Sequence, residues 1–126
     1  MRILLIEDEA ALADVLARNL RARGNDTIIA GSAEAALEEI AAAVPDALIL
    51  DVNLPDLTGW DVLRRLTPAQ RAAVRVVVIS AAPISQKRID EFTPDSTLQK
   101  PFPIDALLRA LTLDAVRAAS AEEEPS

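Results

Sequence analysis

Five short β-prone runs, at residues 2–6, 27–30, 47–50, 74–79 and 97–99, are each followed by a stretch with helical spacing. Ile3-Leu4-Leu5-Ile6 and Ala47-Leu48-Ile49-Leu50 are continuous in apolar residues, the pattern of a strand buried on both faces. Between the runs the apolar positions recur every three or four residues. Leu12, Val15, Leu16 and Leu20 precede Gly24, and an Ala-rich segment with Leu37 and Ile40 runs from Ser32 toward Pro45. Thr58 to Asp61 reads as a capping box for a helix through Leu66, and Ile89 and Phe92 mark a short fourth helix. Pro103 opens a last helix carrying Ile104, Leu107, Leu108 and Leu111. Such alternation predicts an α/β fold: a doubly wound, five-stranded parallel sheet, (βα)5, with helices on both faces and right-handed crossovers.

The 126 residues suit one domain, expected over 1–119, followed by an acidic, disordered tail at 120–126 that contains Glu122-Glu123-Glu124. Trp60, Phe92 and Phe102 are the only aromatics in a chain that is 51% hydrophobic, so the core is aliphatic. The absence of Cys and His excludes disulfides, thiol nucleophiles, His acid–base catalysis and ordinary zinc sites. A formal charge of −7 disfavours direct nucleic-acid binding, which needs clustered Lys and Arg. No apolar stretch is long enough to span a bilayer, and Met1 leads directly into the first strand-like run without a signal-peptide profile. The expected location is the cytoplasm.

In doubly wound sheets, functional groups gather at the carboxyl ends of the strands. Glu7 and Asp8 follow the first run, Asp51 the third, Ser80 the fourth and Lys100 the fifth. Three carboxylates at one sheet edge repel each other unless a cation neutralises them, and an all-oxygen donor set of this size suits Mg2+. One carboxylate can then act as a nucleophile toward phosphorus, and Asp51 is the natural candidate. Ser80 is placed to donate a hydrogen bond to a phosphoryl oxygen, and Lys100 to pair first with Asp51 and then with the phosphoryl group. Taken singly, an acidic pair after a strand is an ordinary turn or cap, Asp51 an Asx turn, Ser80 a cap and Lys100 a surface charge. Their joint occurrence at strand ends favours the functional reading.

Ile6-Glu7-Asp8-Glu9, then Asp51-Val52-Asn53-Leu54-Pro55 with Gly59, then Ser80-Ala81 and Lys100-Pro101-Phe102 resemble, in order, the signatures of bacterial response-regulator receiver domains of the chemotaxis-regulator type. The resemblance covers roughly residues 2–113. It implies the flavodoxin-like strand order 2-1-3-4-5, and a two-component signalling role in which Asp51 is phosphorylated. It further implies metal ligation by Glu7, Asp8 and Asp51 and by the main-chain carbonyl of Asn53. The implied phosphoryl donor is a histidine kinase or a phosphotransfer protein, with a downstream protein partner of unknown identity.

The sequence departs from that family near its end. Thr97 stands where most receivers carry an aromatic, and Thr93-Pro94 replaces a small Gly-Ala pair. The switch is therefore expected in the loop and helix between Ala81 and Phe92, with Thr97 contributing little. Two other functions compete. A degenerate receiver acting only as a docking module would neither bind magnesium nor take phosphate. A haloacid-dehalogenase-like phosphatase would usually carry an Asp where Asn53 stands. A flavodoxin-like electron carrier is weaker still, since few aromatics are available to flank a flavin.

Overall fold

A computed structural model describes residues 1–112. Its strands are β1 (Arg2–Ile6), β2 (Asp26–Ala30), β3 (Ala47–Asp51), β4 (Arg75–Ser80) and β5 (Ser96–Gln99). The helices are α1 (Ala10–Ala22), α2 (Ala33–Ala42), α3 (Gly59–Arg64), α4 (Pro68–Ala73), α5 (Gln86–Phe92) and α6 over residues 104–112. All strand pairs are parallel, in the order β2-β1-β3-β4-β5. Both the expected fold class and the expected order are thus observed. The expected end of the domain at residue 119 and the tail at 120–126 lie outside the described residues.

The continuous apolar runs become central strands because each face meets its own aliphatic layer. Leu4, Ile6, Leu48, Leu50, Val76 and Val78 face the layer under α2 and α3, while Ile3, Leu5, Ile49, Val77 and Ile79 face α1 and α6. A one-residue slip in register would exchange the two faces, so the register of the buried central strands β1, β3 and β4 is tightly specified.

Three local readings are corrected. The helix expected through Leu66 ends at Arg64, and a further short helix, α4, follows in a stretch expected to hold no element, because Thr67 caps it. Its hydroxyl accepts from the Gln70 amide, the Gln70 side chain accepts from the Thr67 amide, and Pro68 occupies the first turn. On α1 the buried stripe is Ala13, Leu16, Ala17 and Leu20, and Val15 points outward at 53% exposure, since small alanines let the helix lie close on the sheet. Val74 caps α4 and lies outside β4.

Close approach of backbone fixes the turn after β3. The Gly59 amide donates to the Val52 carbonyl at 2.8 Å, and Asn53 and Thr58 form an antiparallel bridge across the loop. A Cβ at Gly59 would lie 2.4 Å from the Asp51 carbonyl oxygen and 3.0 Å from Leu50 Cγ. That position therefore requires glycine for space. Replacing Gly59 with alanine should cost about 1–3 kcal/mol in urea unfolding, the usual cost of overpacking a rigid site. Gly31→Ala, where nothing lies within 4 Å, should be nearly neutral.

Candidate functional site

Parallel strands with a common direction bring their carboxyl ends to one edge, and the five chemically capable residues meet there. Glu7 directly follows β1, its amide donating to the Ala30 carbonyl at 3.0 Å, and its side chain is buried with the residue only 1% exposed. Asp51 ends β3 and is 4% exposed. Lys100 follows β5, held by its amide to the Ser80 carbonyl at 2.7 Å. Its ammonium donates to Glu7 Oε1 at 2.5 Å and to Asp51 Oδ2 at 2.9 Å. The other Asp51 oxygen, Oδ1, accepts from the Asn53 amide at 3.0 Å. Lys100 and Pro101 are joined by a cis peptide bond.

Asp8 is exposed at the mouth of the site, and one carboxylate oxygen from each of Glu7, Asp8 and Asp51 lies within 4.8 Å of the others. All three are hard oxygen donors, so the cluster fits a hard divalent cation with room left for water. Ser80 is buried at the end of β4, and its hydroxyl accepts from the Ala82 amide at 3.2 Å. The six residues singled out in the sequence therefore converge on one edge, with Asn53 contributing through its main chain.

The electrostatics of the cluster are unbalanced. Two buried carboxylates share one ammonium, which leaves an excess negative charge away from water. Burial, reinforced by contact with Asp51, pushes the Glu7 carboxyl up to about 7 despite Lys100. Burial alone would raise Asp51 as well, but its hydrogen bonds with Glu7, Lys100 and the Asn53 amide outweigh that and hold it below the usual carboxylate range. Lys100 is raised: burial opposes its charge, and the bonds to Glu7 and Asp51 more than offset this. The cluster thus disfavours charge on Glu7 and favours it on Asp51.

Two features beyond the expected set support the site. Asp56, in the loop after β3, accepts from the Ala33 and Glu34 amides, both at 2.9 Å. Trp60, the second residue of α3, is buried and stacks on Phe92 with ring centroids 4.9 Å apart. Sequence could not pair Asp56 with α2, because the contact spans more than twenty residues and an acidic residue in a Pro-containing turn has ordinary local explanations.

Residues 3–112 match the family model for the response regulator receiver domain, and the chain belongs to that family. It is a phospho-accepting receiver domain of two-component signalling. Among curated relatives it is 35% identical over 123 residues to the transcriptional regulatory protein KdpE of Mycobacterium tuberculosis, covering 96% of this chain and 54% of KdpE. It is 33% identical over 114 residues to the probable transcriptional regulatory protein TcrX of the same species, with 86% and 48% covered. The chain spans about half the length of these relatives. Among solved structures, a Burkholderia pseudomallei response regulator with a phosphorylated aspartic acid, calcium ion and citrate superposes with a TM-score of 0.80 at 25% identity. That match covers 98% of this chain and 75% of the other. The receiver domain of Francisella response regulator 1452 superposes with a TM-score of 0.80 at 26% identity, covering 93% and 98%. Among the described residues no helix is long and apolar enough to cross a membrane.

A carboxyl that titrates near 7 in the folded chain, against 4.5 in the unfolded one, favours folding while it is protonated. That contribution is complete below pH 4.5 and is lost as the pH rises through about 7. In the presence of a chelator, the melting temperature of Glu7→Gln relative to wild type should therefore climb by several degrees between pH 5 and pH 8. A constant difference across that range would show that Glu7 does not carry the proton.

Proposed function

We propose that Asp51 accepts the phosphoryl group, with magnesium as the working cation, and that Ser80 and Lys100 stabilise the transferred group. The observation that carries this reading is the Asp51 carboxylate at the end of β3, with Lys100 at 2.9 Å and oxygens of Glu7 and Asp8 beside it. Glu7, Asp8, Asp51 and the Asn53 carbonyl would hold the ion, which when bound supplies positive charge next to the phosphoryl oxygens. The calcium ion and phosphorylated aspartic acid of the Burkholderia response regulator support the reading of a hard cation and an acyl phosphate for this chain.

In the transfer an Asp51 oxygen forms a bond to phosphorus as the donor's bond to phosphorus breaks, and the electron pair leaves with the donor. Lys100, already bonded to Oδ2, stays in place to meet the new charge. Ser80, whose hydroxyl oxygen accepts from the Ala82 amide, keeps its own proton to donate, and swinging it toward the phosphoryl group would loosen that bond. The donor is a histidine kinase or a phosphotransfer protein, and the readout is a downstream protein in the cytoplasm, with no direct contact between this domain and nucleic acid. The receiver unit spans residues 1–119, and its chemistry is confined to its own phosphorylation and dephosphorylation.

Incubation with magnesium and acetyl phosphate should add one phosphoryl mass to wild type and none to Asp51→Asn, read by intact mass spectrometry. A wild-type chain that takes no label would indicate a docking module, and steady turnover of a small phosphate ester would indicate a phosphatase. Asp8→Asn should weaken magnesium binding in a calorimetric titration, and unchanged affinity would remove Asp8 from the ligand set.

Output runs through α5 in this reading. Releasing Ala82 frees the start of the loop that leads to Ser85, the N-cap of α5, while Phe92 at the far end is stacked on Trp60. Hydrogen exchange with beryllofluoride and magnesium should change protection between Ala81 and Phe92 equally in wild type and Thr97→Ala. Loss of that change in a Thr97→Ala chain that still binds the mimic would make Thr97 the coupling residue.

A further inference from the structure

The acceptor loop at residues 52–58 is held at both ends, and its far anchor is a carboxylate. At the near end the Asn53 amide reaches Asp51 Oδ1, and Gly59 is bonded to Val52. At the far end Asp56 takes the Ala33 amide on Oδ1 and the Glu34 amide on Oδ2, both at 2.9 Å, and Oδ1 also accepts from the Leu57 amide at 3.0 Å.

The free amides of a helix's first turn are normally met by its own cap. On α2 the local cap does only part of this. Ser32 takes the Ala35 amide with its hydroxyl at 3.1 Å and the Ala36 amide with its carbonyl at 3.1 Å. The remaining two amides are satisfied by Asp56, from another part of the chain. A charged, two-pronged bond at the positive end of a helix is short, directional and suited to fixing a loop. The carboxyl of Asp56 is correspondingly held below its ordinary range by the Ala33 and Glu34 amides.

We infer that Asp56 is a positioning residue for the acceptor site: by fastening residues 52–58 to the first turn of α2, it sets where the Asn53 carbonyl stands relative to Glu7, Asp8 and Asp51. The inference rests on the reading that this carbonyl is a ligand of the magnesium ion. The Asn53–Thr58 bridge makes the loop a closed unit, so a shift of its tip at Asp56 carries to Asn53. A residue that merely capped α2 would affect the stability of the helix and leave the ion site alone.

Magnesium affinity, measured by calorimetry on the whole chain, separates the two roles when Asp56→Ala is compared with Ser32→Ala. Each variant removes part of the α2 cap, and each should lower the melting temperature. Asp56→Ala should weaken magnesium binding by about tenfold, the lower end of what loss of a supporting group costs a metal site, whereas Ser32→Ala should bind as wild type does. Asp56→Asn keeps one accepting oxygen and should fall between wild type and Asp56→Ala. At saturating magnesium the rate of labelling by acetyl phosphate should return toward the wild-type value in all three. Wild-type affinity in Asp56→Ala and Asp56→Asn, or equal weakening in Ser32→Ala, would reduce Asp56 to a helix cap and overturn the inference. If the wild-type chain binds magnesium and is labelled, such a result leaves the acceptor reading intact. A wild-type chain that binds no magnesium overturns that reading and the inference with it.

Discussion

One ammonium between two buried carboxylates sets the terms for this molecule. Lys100 reaches both Glu7 and Asp51, so the ends of β1, β3 and β5 are tied through a single nitrogen. Such a cluster adds little net stability, because desolvating three charged groups costs more than a pair of contacts returns unless the geometry is very good. The surrounding aliphatic layers must hold it in place. Ile6, Leu50 and Ile79 lie next to the charged residues and are fully buried, so the strand ends cannot spread apart to relieve the repulsion. The imbalance persists as a demand for positive charge, which a proton on Glu7 meets in part. A divalent cation meets it better, and so the same edge that weakens the bare fold prepares it for a metal and a phosphoryl group.

Much of this arrangement is legible in the residues themselves. Uninterrupted runs such as Ala47 to Leu50 have few alternatives to a central parallel strand, and the polar residue that ends each run is carried to the sheet edge by topology alone. What escapes is of two kinds. The short helix α4 is announced by Thr67-Pro68 and Gln70, a capping box as clear as the one at Thr58, but its six residues carry no apolar stripe that would mark them as helical, and none of them is buried. The long-range contacts of Asp56 and Trp60 have no local signature. Each depends on the distance between elements that only the assembled sheet defines.

The departures near β5 also have a physical account. Thr93, where the family commonly has a small residue, takes the left-handed conformation at φ 45° that glycine adopts most easily at a helix end. Its carbonyl accepts from the Arg71 guanidinium at 2.9 Å, and its amide donates to Ile89 at 2.8 Å. Asp95 then pairs with Val76 twice, through its own amide at 2.9 Å and through Oδ2 to the Val76 amide at 2.7 Å. These bonds hold the entry to β5 without the usual glycine.

The consequence for signalling lies in which parts are fixed and which are free. The C-terminal end of α5 is secured by the Phe92–Trp60 stack, by the Arg64 guanidinium 5.0 Å over the Phe92 ring and by the contact of Arg71 with Thr93. Its N-terminal side is held by the bond from the Ala82 amide to Ser80, a 3.5 Å contact from Gln99 to the Ala81 carbonyl and the packing of Ile84 against the core. A phosphoryl group can shift an equilibrium only through contacts that differ between the two states, and in the proposed reading the Ser80 bond is such a contact. Breaking it would loosen the loop at Ala81 and Ala82 while the aromatic stack keeps the other end of α5 in place. A helix of two turns fixed at one end moves most at the other, which in the proposed reading would put the largest displacement at Ala81 to Ser85 and away from Thr97. Because Trp60 adjoins Gly59, itself packed against the Asp51 backbone, the fixed end of α5 is referenced to the acceptor strand. In the proposed reading, any motion of α5 is in this way measured against the acceptor Asp51.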